Sequence, residues 1–289
     1  MLKNGPTDTP DRATNLTRRF AKTVEMHFDR KSFVLNWPNQ GEVGANWGDK
    51  LNPYMANALS DRPFVHAREV VRRLSPPVHY WIGSHLSAAC AHKNSVVWGA
   101  GFISKDAPIK RAPGKIQAVR GWKSVARLRE AGIPCPDTVG DAALLLPRIY
   151  TPRPNARKHA LGLIPHYLER DDPFFVAAKK WEDTVVIDIT GGIEEVVDKI
   201  VSCDRIASSS LHGLICADAY GVPSLWLSSS GKLLGDGFKF HDYLSSVGRE
   251  QNGPLQVDTN IPRAMIEDSF GDPGIDIDLD ALWAACPIN

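Results

Sequence analysis

The sequence predicts an α/β protein made of two doubly wound, Rossmann-like halves, and three observations predict it. Short β-branched or aromatic runs alternate with helical patterns along most of the chain. One stretch carries neither period: PRIYTPRPNARK (Pro147–Lys158), whose three prolines disfavour a regular element. Finally, 289 residues suffice for two domains of ordinary size.

In the first half, strands are expected at Ser32–Trp37, Pro63–Ala67, Val78–Gly83, Ser95–Trp98 and Ile116–Arg120, each a short run rich in β-forming residues. Helices lie between them. One is expected to take Asn52 as its N-cap and Pro53 as its first residue, where a proline costs no hydrogen bond and presets φ. Another runs from Trp122 to Ala131 and stops at Gly132. In the second half the expected order is strand Ala160–Pro165, helix Pro173–Trp181, strand Thr184–Ile189, helix Ile193–Ser202, strand Arg205–Ser208, helix Leu211–Tyr220 and strand Pro223–Leu227. Two weak helical patterns follow between Pro262 and Cys286, separated by Gly271–Gly274. The chain therefore divides into an N-terminal extension (1–30), a first Rossmann-like domain (31–150), a linker (151–158), a second Rossmann-like domain (159–250) and a tail that packs back (251–289). No internal sequence repeat is visible.

Composition excludes several function classes. Thirty-four basic against 33 acidic residues leave a formal charge of +1, so nothing in the totals asks for a nucleic-acid partner, and an anionic ligand needs a local cluster of donors. The five cysteines are scattered and form no CxxC pair, which suits reduced core residues in a cytoplasmic protein. No HExxH, EF-hand loop or zinc spacing occurs, so no metal is expected; no GxSxG elbow occurs either. No run approaches the ~20 apolar residues of a membrane span, and the first thirty residues hold no secretory signal. Leu16, Phe20 and Val24 recur at helical spacing beside Arg18, Arg19 and Lys22. This fits a helix packed on its own domain, or peripheral contact with anionic lipid at the inner face of a membrane.

Two similar halves place a site in the cleft between them, outside the carboxyl ends of the strands. The most informative segment there is Ser208-Ser209-Ser210-Leu211-His212-Gly213, where a strand gives way to a helix. Its free N–H groups, hydroxyls and histidine suit an anion, while a capping serine with a solvent-turned histidine is the plainer alternative. His166, in Gly162-Leu163-Ile164-Pro165-His166-Tyr167, stands at another strand end. Arg120, in Ala118-Val119-Arg120-Gly121, offers two-pronged donation to a carboxylate or phosphate, or is an ordinary surface arginine. Asp49, in the loop Gly44–Pro53, is a candidate base or a carboxylate favouring a helix N-terminus. Lys239 either closes over a phosphate or is solvated. Trp37, Trp47, Trp81 and Trp98 suit sugar stacking or, more often, a core.

Taken together, GDKLNP (Gly48–Pro53), AVRG (Ala118–Gly121), GDAALLLP (Gly140–Pro147), GLIPHY (Gly162–Tyr167), SSSLHGLICADAYGVPS (Ser208–Ser224) and KFHDY (Lys239–Tyr243) resemble the polysaccharide pyruvyltransferase family, in particular the branch that decorates bacterial exopolysaccharides. The resemblance implies a GT-B-like arrangement of the two halves around a central cleft. It also implies transfer of the enolpyruvyl group of phosphoenolpyruvate to a sugar hydroxyl pair as a ketal, with no cofactor besides that donor. Phosphoenolpyruvate is then expected on Arg120, Ser209, Ser210, Leu211, His212, Gly213 and Lys239, with catalysis by His212, His166 and Asp49. The acceptor, an oligosaccharide on or off a lipid carrier, is expected at Asn46, Trp47 and Asn52. A GT-B glycosyltransferase using a nucleotide sugar and a non-catalytic glycan-binding subunit are the alternatives, since fold alone does not separate them.

Overall fold

The expected strand runs form two sheets in the computed structural model, which describes residues 12–29, 32–39, 46–152, 158–230, 236–271 and 274–288. The first holds β1 (Phe33–Leu35), β2 (Phe64–His66), β3 (Val78–Tyr80), β4 (Ser95–Trp98) and β5 (Lys115–Ala118) in the order β2-β1-β3-β4-β5. The second holds β6 (His159–Ile164), β7 (Thr184–Val186), β8 (Cys203–Ser208), β9 (Ser224–Ser228) and β10 (Leu255–Gln256) in the order β7-β6-β8-β9-β10. Every pairing between these strands is parallel. Numbered from its own first strand, each sheet reads 2-1-3-4-5, one of the two common doubly wound orders. The halves thus repeat a topology that no sequence repeat announces.

Crossover helices follow from the periodic segments: α1 (Arg12–Phe28), α2 (Trp47–Leu59), α3 (Leu86–Ala89), α4 (Trp122–Glu130), α5 (Pro173–Ala178), α6 (Ile193–Val201), α7 (Leu211–Ala219), α8 (Phe238–Ser246), α9 (Arg263–Asp268) and α10 (Leu279–Ala284). Most lie within a few residues of the expected positions. α8 and β10 were not expected. Gly44, Ala45, residues 153–157 of the proline-rich stretch and residues 231–235 lie outside the described residues.

Two expectations built on proline are corrected. α2 starts at Trp47 rather than at Pro53: Asn46 is its N-cap, accepting the Gly48 N–H at 3.2 Å, and Pro53 lies inside the helix. A proline there cannot donate to the carbonyl four residues back, that of Asp49. The Asn52 amide takes over, donating to Asp49 O at 3.2 Å and to Ile82 O at 3.1 Å while accepting the Ile82 N–H at 3.1 Å. Asn52 is therefore a buried brace and not a cap. Likewise Pro147 does not open a linker but sits in a 3-10 helix, Ala142–Arg148, whose Leu144, Leu145 and Leu146 are buried. A short 3-10 segment loses at most one hydrogen bond to such a proline, and three buried leucines outweigh that loss.

One hydrophobic cluster runs through both halves, joining Leu35, Trp47, Trp81 and Trp98 to Leu144–Leu146, Ile164, Ile215, Tyr243 and Leu282. The last of these belongs to α10, whose Leu282 carbonyl accepts the Trp98 indole N–H at 2.9 Å. α1 packs on its own half, but through a different face from the expected one. Arg19 donates to Val70 O at 2.7 Å, Thr23 accepts the Val71 N–H at 2.9 Å, and Met26 is buried. Leu16, Phe20, Val24 and Phe28 face solvent. Among the described residues no helix is long and apolar enough to cross a membrane.

Candidate active site

In a doubly wound sheet, ligands bind beyond the carboxyl ends of the strands where the strand order reverses, here between β1 and β3 and between β6 and β8. A cavity of about 200 Å³ lies at both reversals at once. From the first half it is lined by Asn46 and Asp49, which follow β1, and by Gly83, Ser84 and His85, which follow β3. From the second come His166 and Tyr167, following β6, then Ser210, Leu211 and His212, following β8. Lys239, in the first turn of α8, completes it. Larger surface grooves exist, such as one of about 520 Å³ lined by Trp122, Asp137 and Asp278, but that groove gathers none of the strand-end histidines.

The serine run is built to hold a turn open. Ser208 Oγ accepts the Ser210 N–H at 3.0 Å, and Ser209 Oγ accepts the His166 N–H at 2.8 Å, which fastens the two strand-end loops together. Ser210 occupies the N-cap of α7 but makes no side-chain cap bond, so the positive end of the helix is turned to the cavity. Of the expected capping serine only the position is realised. Two glycines permit close approach. A Cβ on Gly213 would stand 2.4 Å from Ser208 Oγ, and one on Gly48 would stand 2.0 Å from His212 Nδ1. Gly48 thus belongs to the first half and makes room for the histidine of the second.

Electrostatics follow from burial among cations. The His212 imidazole is pushed down to about 3, first by burial and then by Arg120, Lys239, His85 and His166. His166 is pushed down to about 4 by burial and by Lys239. Burial, with Arg120 beside it, lowers the Lys239 ammonium to about 8, while Asp49 and Glu169 pull it the other way. These groups repel one another's charge, and an entering anion would relieve them all. His85 Nε2 lies 3.2 Å from Asp49 Oδ1, a histidine and carboxylate paired at the cavity wall. Such a pair can take up or release a proton at a bound hydroxyl.

Not every expected site residue reaches the cavity. Asn46, Asp49, His166, Ser210, Leu211, His212 and Lys239 line it. Trp47 and Asn52, expected at the acceptor, are wholly buried in the core, as are Trp81 and Trp98. Ser209 and Gly213 support the turn from behind. Arg120 is also closed off: its Nε and Nη2 meet Asp242 Oδ2 at 3.0 and 2.9 Å, Nη2 donates to Phe102 O at 2.6 Å, and Nη1 donates to Ser84 Oγ at 3.0 Å. Its guanidinium acts on the cavity through Ser84 and through its field. His85 and Asp141 were missed. His85 follows β3 and Gly83 just as His166 follows β6, so the strand-end signal that singled out His166 applied to it equally. Among the described residues no group of three or more His, Cys, Asp or Glu side chains is set to hold a metal ion.

Two parallel, doubly wound sheets with a histidine-rich cavity at their reversals place the chain among the Rossmann-like α/β proteins. The chain belongs to the polysaccharide pyruvyl transferase family, whose profile matches residues 76–231. It is also similar to the uncharacterized protein L143 of Acanthamoeba polyphaga mimivirus, 32% identical over 240 residues that span 81% of this chain and 82% of that protein. The family match contains His85, His166 and His212; Asp49 and Lys239 lie outside it and reach the same cavity through the fold.

Proposed function

We propose that the protein transfers the enolpyruvyl carbons of phosphoenolpyruvate to a hydroxyl pair of a polysaccharide sugar, forming a pyruvate ketal and releasing phosphate. The observation that carries this reading is the convergence of His212, His166, Lys239 and the α7 N-terminus on one small cavity. Phosphoenolpyruvate brings a phosphate and a carboxylate, and this set of donors suits both. A cavity of about 200 Å³ also favours a three-carbon donor over a nucleotide sugar.

In this reading the two halves adopt a GT-B-like arrangement, the second holding the donor and the first the acceptor. Lys239, His212 and the first turn of α7 bind the phosphate, with Arg120 supporting through Ser84. His212 then delivers a proton to the methylene carbon, and the positive charge that develops at the adjacent carbon is attacked by a sugar hydroxyl. The second hydroxyl displaces phosphate. Asp49, paired with His85, or His166 takes the acceptor's proton. No step in this scheme asks for a metal. Asn46 is the acceptor-side residue that remains at the cavity once Trp47 and Asn52 are assigned to the core. If the acceptor is lipid-linked, the exposed Leu16, Phe20, Val24 and Phe28 stripe of α1 offers a peripheral contact at the inner membrane face.

The test is to incubate the protein with phosphoenolpyruvate and an oligosaccharide acceptor and to follow phosphate release and product mass. A ketal-bearing product is expected, and His212→Gln should abolish it with the circular dichroism unchanged. Release of a nucleoside diphosphate from nucleotide sugars, with phosphoenolpyruvate inert, would reject the reading.

A further inference from the structure

His212 has a neighbour that the scheme above leaves idle. Asp141 follows Gly140, beyond α4, and caps the 3-10 helix, its Oδ1 accepting the Ala143 N–H at 3.0 Å. Its other oxygen, Oδ2, is buried with no hydrogen-bond partner among the described residues, and so is His212 Nε2. The two orphaned atoms face one another across 3.9 Å, about 1 Å longer than a hydrogen bond. Asp141 is fully buried and does not line the cavity, so it stands behind the imidazole rather than beside a ligand. Buried polar atoms without partners are costly, and closing this gap would satisfy both at once.

We propose that Asp141 is the positioning residue of His212: when an anion enters the cavity, Oδ2 closes on Nε2, fixes the tautomer that presents Nδ1–H to the ligand, and passes Nε2 a proton. The inference rests on the reading of the cavity as the phosphoenolpyruvate site. In the step the O–H bond of Asp141 breaks and the Nε2–H bond forms, so a neutral pair becomes a carboxylate and an imidazolium with no other reactant. Burial, helped by Asp242 and opposed by the Ala143 N–H, Arg120 and His85, raises the Asp141 carboxyl to about 7, so near neutral pH it still holds a proton to give. Around His212 the titratable neighbours are Arg120, Lys239, His85 and His166, all of which oppose its protonation until an anion offsets them. Gly48 keeps the ring where this contact can form.

The test follows the imidazole nitrogen resonances of His212, assigned by their loss in His212→Gln, in the full chain with and without inorganic phosphate. Asp141→Asn and Asp141→Ser both retain an oxygen to cap the 3-10 helix, so the second serves if the first does not fold. Expected is an imidazolium at His212 on adding phosphate to the wild type, and a neutral ring in both variants. With phosphoenolpyruvate and acceptor, kcat should fall on the order of 10²-fold in the variants with KM little changed. A His212 that charges in the variants as it does in the wild type overturns the role of Asp141 while leaving the anion site standing. A wild-type His212 that does not respond to phosphate overturns both.

Discussion

The guanidinium of Arg120 and the carboxylate of Asp242 close on one another at 2.9 Å with both side chains wholly shielded from solvent. Asp242 also accepts the Ser124 N–H and hydroxyl, each at 2.7 Å, so a residue of α8 fastens the end of β5 and the start of α4. A Cβ on Gly121 would stand 1.7 Å from the Asp242 carbonyl, which is why the residue after the arginine is glycine. Removing one partner strands a buried charge. Asp242→Ala should cost about 3–5 kcal/mol, read from the urea midpoint at unchanged m-value, and the double change Arg120→Met/Asp242→Leu should cost less than the single one. A double variant that costs the sum of the two single changes would show that the pairing is unimportant.

Gly48→Ala separates helix propensity from site geometry. Alanine should favour α2 by about 1 kcal/mol, yet its methyl would land 2.0 Å from the His212 ring. The ring must move, so turnover should drop by at least about 10-fold, while the thermal midpoint shifts by only a few degrees. Wild-type kcat in this variant would show that the position of His212 does not matter.

The proton balance of Asp141 and His212 gives a signed pH prediction. Asp141 is raised from 3.8 to about 7 on folding, so alone it contributes stability that is lost as pH rises through that window. His212 is lowered from 6.5 to about 3, so alone it contributes stability that is lost as pH falls through its window. In the wild type the two slopes offset each other where the windows overlap. His212→Gln should therefore become less stable relative to wild type as pH rises from about 3 to 6.5, and Asp141→Asn less stable as pH falls from about 7 to 3.8, each by up to ~1.4 kcal/mol per pH unit. Urea unfolding across that range checks both signs, and parallel curves for the three proteins would refute the prediction.

Asn52 and Pro53 should be coupled. Asn52→Leu leaves the Asp49 and Ile82 carbonyls and the Ile82 N–H short of partners, at about 1–3 kcal/mol for each group left buried and unpaired. In a Pro53→Ala background the backbone N–H gained at that position can reach the Asp49 carbonyl, so the same change should cost about 1 kcal/mol less. A double-mutant cycle by denaturant unfolding measures the difference, and additivity would remove the explanation for the asparagine.

What could be read in the sequence was what local chemistry dictates. β-branched runs announced nine of the ten described strands, and the turn at Ser208–Gly213 announced the cavity because helix start, hydroxyls and histidine are adjacent in the chain. What depends on distant partners could not be read. Arg120 is indistinguishable from a ligand arginine until Asp242, 122 residues on, is seen to hold it. Asn52 before Pro53 imitates a helix start, and only the Ile82 backbone, 30 residues away, reveals the brace. Two-residue β10 has too little sequence to carry a period, and α8 mixes aromatic and polar residues without a clean stripe. Asp141 lies in GDAALLLP, where local sequence shows only the cap it forms on the 3-10 helix; its place behind His212 is hidden because that histidine comes from the other half.

The hydrogen bond from Trp98 to Leu282 spans 184 residues, and Gly140 packs within reach of Ile277 and Leu282. The first sheet is therefore the earliest to be synthesised and the last to be finished, since α10 leaves the ribosome only after the whole second sheet. A nascent chain halted near the proline-rich stretch would expose the Trp98 indole and the leucines of the 3-10 helix, and separate fragments cut there should regain their packing only when mixed.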